Sequence, residues 1–246
     1  ALEQNVDAYI FLGDYLGEFP YPQRTLEILY ELKQNASCIF IRGNKEDYWL
    51  NRRKDQNCDW KSGNRSVMAM IYNYNSLNAK DLDFFETLPI SQSIRFAGME
   101  PVLACHGTPF ENQKALLSEE LFVQKCEERY IICGHTHMQG FVSDGKKRII
   151  NAGAVGVPLK SPKKTQYMIL TSDGKDWKPE FLSLEYDVDT VIKEIHESGL
   201  WDASPYWCRI TEHLLDTGEL PHGTVLNHVM KLNDYQDPWY NIADSY

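Results

Sequence analysis

Tyr130-Ile131-Ile132-Cys133-Gly134-His135-Thr136-His137 is the stretch from which the rest of this chain can be read. Four apolar residues in succession, cut off by a glycine, read as a short strand buried on both faces. Two imidazoles then follow within four residues of the strand end. Four other runs share this layout. Ala8-Tyr9-Ile10-Phe11-Leu12 leads into Gly13-Asp14, and Cys38-Ile39-Phe40-Ile41 into Arg42-Gly43-Asn44. Val102-Leu103-Ala104-Cys105 leads into His106-Gly107, and Arg148-Ile149-Ile150 into Asn151-Ala152-Gly153.

Helical patterns lie between these strands. Gln23 to Gln34 places Leu26, Leu29, Tyr30 and Lys33 on one side, and Leu116 to Glu128 is a second helical segment. Strand-helix-strand order implies an α/β fold. In such sheets, ligands gather at the carboxyl ends of the strands. Asp14, Asn44, His106, His135 and His137 are therefore the candidate site. One carboxylate, one amide oxygen and several imidazoles suit divalent manganese, iron, zinc or nickel. Thiolates are missing from these loops, which argues against a structural zinc.

The second half turns antiparallel. Ser-Asp-Gly-Lys occurs at 143–146 and at 172–175, and Asp-Gly supplies the positive φ of a hairpin turn. Beyond about Leu184 the pattern becomes helical. Asp189 is the expected cap of a helix ending at Gly199; Ser204-Pro205 starts another, which Thr217-Gly218 stops; Thr224 to Leu232 forms a third. Residues 187–246 read as a helical extension whose Trp201, Trp207 and Trp239 pack on the body or form the face of a homo-oligomer. His196, His213, His222 and His228 read as surface or packing residues.

The bulk properties narrow the classes. The 246 residues carry a net charge of -10, with 43% apolar and 24% charged residues. That is ordinary for a globular chain long enough to bury a core without disulfides. The negative charge disfavours non-specific nucleic-acid binding. Six cysteines form no C-x-x-C pair, and Cys38, Cys105 and Cys133 sit in apolar runs, as expected in a reducing cytoplasm. No signal peptide or membrane-spanning run is read. Cys58 and Arg65 are one residue too far apart for a cysteine phosphatase. A Walker loop and a Gly-x-Ser-x-Gly elbow are both lacking.

Gly13-Asp14-Tyr15-Leu16-Gly17, Gly43-Asn44, His106-Gly107, Gly134-His135-Thr136-His137 and Asn151-Ala152-Gly153-Ala154-Val155-Gly156 resemble, in order and setting, the motifs of the calcineurin-like metallophosphoesterases. The similarity is greatest to the small bacterial and archaeal phosphodiesterase-type branch and covers about 1–184. It implies a four-layer α/β/β/α sandwich and metal-dependent hydrolysis of a small phosphorylated substrate. It also implies two divalent ions bridged by Asp14. Asn44, His106 and His135 would complete one site, and His137 would belong to the other. Such paired ions, about 3.5–4 Å apart, clamp a phosphoryl group and activate a water. Asn151 would lie near the phosphate.

Two departures accompany the resemblance. The family's first motif, Asp-x-His on a first strand, is not in this sequence. Ala1-Leu2-Glu3-Gln4 looks like the last turn of a helix, so 1–184 reads as a domain without its first strand and helix, and 185–246 as the extension. The family's Gly-Asn-His-Asp/Glu is Gly43-Asn44-Lys45-Glu46 here. Lys45 therefore takes the catalytic position, where it can neutralise phosphate charge. A weakly catalytic metal- or phosphate-sensing relative is the alternative. Lys45-Glu46 as a surface ion pair is the bland reading of the same residues.

Overall fold

The structure, a computed structural model, describes residues 4–17, 19–55, 67–116 and 125–232. Two parallel strands, β1 (Tyr9–Phe11) and β2 (Cys38–Phe40), are joined by α1 (Pro22–Asn35). Helices α2 (Asn44–Lys54), α3 (Met68–Ser76) and α4 (Ala79–Thr87) follow. A five-stranded sheet comes next, from β3 (Ser91–Ile94), β4 (Val102–Cys105), β5 (Tyr130–Cys133), β6 (Gln139–Ser143) and β7 (Arg148–Ala152), in the order β3-β4-β5-β7-β6. Its three inner strands are parallel, and its two edge strands are antiparallel. A long hairpin of β8 (Lys164–Ser172) and β9 (Trp177–Glu185) ends this part.

The apolar clusters show how the layers stack. Ile10, Leu12, Ile39 and Ile41 from the β1–β2 side meet Ala104, Ile132, Ile150 and Trp177 from the larger sheet and the hairpin. The two sheets thus share one core. The outer face of β1–β2 is covered by α1, α2 and α4, through Leu26, Leu29, Trp49, Leu82, Phe84 and Phe85. There Phe11 stacks on Phe40 with ring centres 4.8 Å apart. Lys33, exposed on α1, holds its Nζ 4.5 Å over the Phe84 ring, a cation–π contact. Leu103, Cys105, Ile131, Cys133 and Ile149 form the opposite face of the larger sheet. Both inner strands β4 and β5 are buried along their whole length, as their unbroken apolar runs required.

Both Asp-Gly hairpin turns form, with Gly145 and Gly174 each at φ 88°. The helix expected over 116–128 lies mainly outside the described residues. So do Ala1 to Glu3, Cys58 with Arg65, and the aromatic tail at 237–240. Asn151 is not a residue beyond the strand end. It lies within β7, paired with Cys133 on one side and Gly140 on the other.

The extension consists of α5 (Val188–Glu197), α6 (Leu200–Ala203), α7 (Pro205–Thr217) and α8 (His222–Leu232). Asp187, not Asp189, caps α5, and its side chain accepts the Thr190 N–H at 3.0 Å. An N-cap oxygen bonds the N–H three residues on, which places Thr190, not a residue after Asp189, as its partner. Helix α8 starts two residues before the expected Thr224, directly after Pro221. Gly199 and Gly218 adopt positive φ at the helix junctions, where a side chain would be strained. Ile195, Leu200 and Cys208 pack with Ala69 of α3, and Phe19, Tyr72, Trp201 and Trp207 close around them. His222 stacks on Trp207 at 4.2 Å, and His196 on Trp201 at 4.0 Å. Among the described residues no helix is long and apolar enough to cross a membrane.

Candidate functional site

Four donor atoms from four strand-end loops meet in one place. Asp14 lies three residues beyond β1, Asn44 opens α2 after β2, His106 follows β4 directly, and His135 lies two residues beyond β5. His106 Nε2 is 3.0 Å from Asn44 Oδ1, 3.2 Å from His135 Nδ1 and 3.4 Å from Asp14 Oδ2. His135 Nδ1 is also 3.0 Å from Asn44 Oδ1. His106 and Asn44 are buried.

Backbone strain marks the same loops. Asp14, His135 and His137 have φ of 56°, 65° and 58°, a left-handed region that non-glycine residues seldom occupy. Gly13 and Gly43 allow the two loops to touch. A Cβ on Gly13 would meet the Gly43 backbone, and one on Gly43 would meet Asp14 and, at 2.9 Å, Glu46 Oε2.

The second layer of contacts was less legible. Glu46 is fully buried, not part of a surface ion pair. Its carboxylate accepts three backbone N–H groups: Gly43 at 2.8 Å, Asp14 at 2.9 Å and Tyr15 at 3.0 Å. It ties the β1 loop to the start of α2. Asn112, also buried, donates from Nδ2 to Gly43 O at 2.9 Å and to Asp47 Oδ2 at 2.7 Å. The neighbouring Gln113 makes a backbone hydrogen bond with His135. The loop after β4 therefore supplies His106 and also steadies Asn44 and His135. A glutamate three residues after Gly43, in a capping-box position, was the available signal for Glu46. Nothing local in the sequence marks Asn112.

Asn151, expected near the phosphate, has its amide groups engaged within the protein. Its Nδ2 donates to Gly134 O and Thr136 Oγ1, and its Oδ1 accepts the Gly153 N–H. Both amide hydrogens are spent inside the protein, so Asn151 braces the Gly134–Thr136 turn. His137 does not join the four-atom cluster by any of these contacts. It is half-buried on the same loop, near enough for its charge to lower the His135 pKa. The Lys45 side chain lies against Gly17, and its backbone N–H donates to Asp14 Oδ1 at 2.9 Å.

The electrostatics follow from this packing. Burial opposes charge on Asp14, but His106 and Lys45 beside it hold the carboxyl well below the usual range. Burial likewise opposes charge on His106, and the facing Asp14 more than offsets this and raises its pKa. Burial and then the His106 charge push His135 down. For Glu46, burial and the Asp14 charge push the carboxyl up to about 7.

The donor set fits a divalent ion. With bonds of about 2.1 Å, neighbouring ligand atoms stand about 3.0 Å apart in an octahedron and about 3.4 Å apart in a tetrahedron. The four separations above fall within that range. His106 Nδ1 also lies 2.7 Å from Leu12 O. A proton on that nitrogen leaves Nε2 facing the cluster, the usual anchoring of a metal-binding imidazole. Asp14, His106 and His135 do not by themselves make a metal group among the described residues. The convergent set is a mixed one, with the Asn44 amide oxygen touching both imidazoles.

The model of the calcineurin-like phosphoesterase superfamily domain matches residues 1–175. The chain belongs to this superfamily. An uncharacterised protein of Methanocaldococcus jannaschii is 26% identical over 216 residues, covering 80% of this chain and 82% of that one. Two solved structures share the fold. A hypothetical protein from Pyrococcus horikoshii has TM-score 0.69 at 17% identity, covering 88% and 87% of the two chains. A metallophosphoesterase from Sphaerobacter thermophilus has TM-score 0.63 at 21% identity, covering 85% and 90%. The superfamily match ends within β8–β9, before the helical extension.

Proposed function

We propose that this superfamily member is a metal-dependent phosphoester hydrolase acting on a small phosphorylated substrate. The observation that carries the reading is the convergence of Asp14, Asn44, His106 and His135, with donor atoms 3.0–3.4 Å apart. These residues would hold one divalent ion (manganese, iron, zinc or nickel). His137 and Asp14 would face a second. Bound ions would polarise the phosphoryl group and lower the pKa of water.

The chain's own groups do the rest. Asn44 adds an oxygen ligand without adding charge. The Leu12 carbonyl orients His106, and Gln113 steadies His135. Lys45, between Asp14 and Gly17, supplies positive charge for the phosphate. Turnover of p-nitrophenyl phosphate and bis-p-nitrophenyl phosphate with added Mn²⁺ tests the reading. Bound metal without turnover of either ester would sink it and favour a phosphate-binding relative, in which Lys45 holds the ligand without catalysis.

A further inference from the structure

The last turn of a helix leaves backbone carbonyls without partners inside the helix. In α7 a loop from the catalytic domain takes two such positions. Lys163 N–H donates to Leu215 O, and Lys160 N–H donates to Gly218 O, both at 2.8 Å. The next residue back in the loop, Leu159, donates its N–H to His137 O at 2.8 Å. A short path of three backbone hydrogen bonds thus runs from the end of α7 to the strained His137.

Gly218 is the tight point of this path. It has φ 72°, and a Cβ there would stand 2.8 Å from Ser161 N, 3.1 Å from Pro162 N and 3.2 Å from Lys160 N. Lys160 and Lys163 are themselves at positive φ, so the loop is held in a shape it would not choose alone. A second anchor lies nearby. A Cβ on Gly156 would stand 2.6 Å from the Phe19 ring, and Phe19 packs into the cluster that seats the extension.

We propose that the helical extension is a positioning element of the site, holding the His137 loop through the α7 terminus at Gly218. The inference rests on the reading of His137 as a metal ligand. Gly199 offers the matched control: it also has positive φ, 83°, but a Cβ there meets nothing within 4 Å. Gly218→Ala and Gly199→Ala therefore carry the same kind of backbone strain, and only the first presses on the loop.

The test follows the histidine ring signals of the full chain by NMR during Zn²⁺ titration, with ester turnover measured in parallel. In Gly218→Ala, the His137 signal moves and its response to Zn²⁺ weakens about 10-fold, the size expected for loss of a ligand's support. The His106 and His135 signals keep their response, and kcat falls more than KM rises. Gly199→Ala changes none of these. Equal behaviour of the two variants, or equal disturbance of all three histidines, overturns the proposal. If Gly218→Ala does not fold, hydrogen exchange of the unaltered chain decides. Lys160 and Lys163 amides should exchange in step with α7, and exchange as an open loop overturns the proposal. Failure of the unaltered chain to turn over any ester sinks the hydrolase reading, yet the His137 signal still reports on the loop. A His137 ring that ignores Zn²⁺ in the unaltered chain removes the ligand reading and this proposal with it.

Discussion

Set beside the helical extension, the strand-end loops depart from local preference at three of their five candidate ligand positions. In the extension, Asp187 caps α5, Pro205 opens α7, and glycines take the left-handed turns at 199 and 218. Of its described non-glycine residues, only Leu220 has positive φ. At the site, Asp14, His135 and His137 take left-handed backbone without being glycine, and Glu46 is a carboxylate with no exposure. Local choices that agree with the fold stabilise it; violations gather where chemistry requires them. The difference implies that changes at the site should cost function, or a large share of stability, while changes at the exposed caps of the extension cost little stability.

The largest break should come from Asp14→Asn. It removes the charge that faces His106 and the carboxylate proposed above to be shared between two ions. Ester turnover should fall on the order of 10³-fold, about 4 kcal/mol of transition-state stabilisation. Folding should survive, because the amide keeps the shape. Activity within tenfold of the parent would break the assignment. Next comes Glu46→Ala, which orphans three backbone N–H groups. At 1 kcal/mol or more for each, the loss is about 3 kcal/mol or more, and Tm should fall by about 6–12 °C. Calorimetry checks this, and an unchanged Tm would return Glu46 to the status of a surface residue.

Asn112→Ala should be milder and more selective. It removes the donor that holds Gly43 O and Asp47, so Asn44 loses its brace. Zinc affinity measured by calorimetric titration should weaken about 10–100-fold. Asn112→Gln, which keeps the amide, should recover part of that loss, whereas a merely structural role would make the longer side chain the worse of the two.

These residues also show what the sequence could and could not disclose. The strands and the ligand loops were legible because an apolar run closed by glycine is a local pattern, and the same pattern recurs five times. Helix α2 was not read, because Asn44–Lys54 buries only Trp49 and Leu50 among its apolar residues and presents little periodicity. Glu46 has one local partner, Gly43, but also holds Asp14 and Tyr15, and Asn112 holds Gly43, across 31 to 69 positions, and no local window contains those distant partners. Asn151 was misread for a related reason. Strand β7 continues two residues past its apolar run, so a residue expected just after the strand is its fourth member.

The pH dependence of the metal-free protein sharpens the same contrast. Glu46, with its pKa raised to about 7, favours the protonated form when folded. Stability therefore falls as pH rises from its unfolded value near 4.5 towards 7. His106, also raised, stabilises most below its ordinary value of 6.5, and that contribution fades as pH passes its folded value. His135, held low, acts in the opposite sense as pH rises towards its ordinary 6.5, and Asp14, also held low, does so only in acid, below its ordinary 3.8. Tm of the metal-free chain should thus decline from pH 5.5 to 8. Zinc should flatten the decline, because the ion replaces the proton on His106, and its binding should release protons. Calorimetric titrations in buffers of different ionisation enthalpy count those protons. A Tm that rises across this range would mean that His135 outweighs Glu46 and His106.

The smallest effect belongs to the extension. Asp187→Ala removes the oxygen that caps α5 and accepts both the Thr190 N–H and, at 2.6 Å, its hydroxyl. An exposed cap of this kind should lower Tm by only about 2–4 °C. The core of α5, with Val188 and Ile195 buried, keeps the helix docked without it. Zinc affinity and ester turnover should not change, because Asp187 lies at the start of α5 and the path to His137 starts at the end of α7. If Asp187→Ala weakens zinc binding as much as Asn112→Ala does, the extension acts on the site as one rigid unit. The contact at Gly218 would then be one anchor among many rather than the point of control.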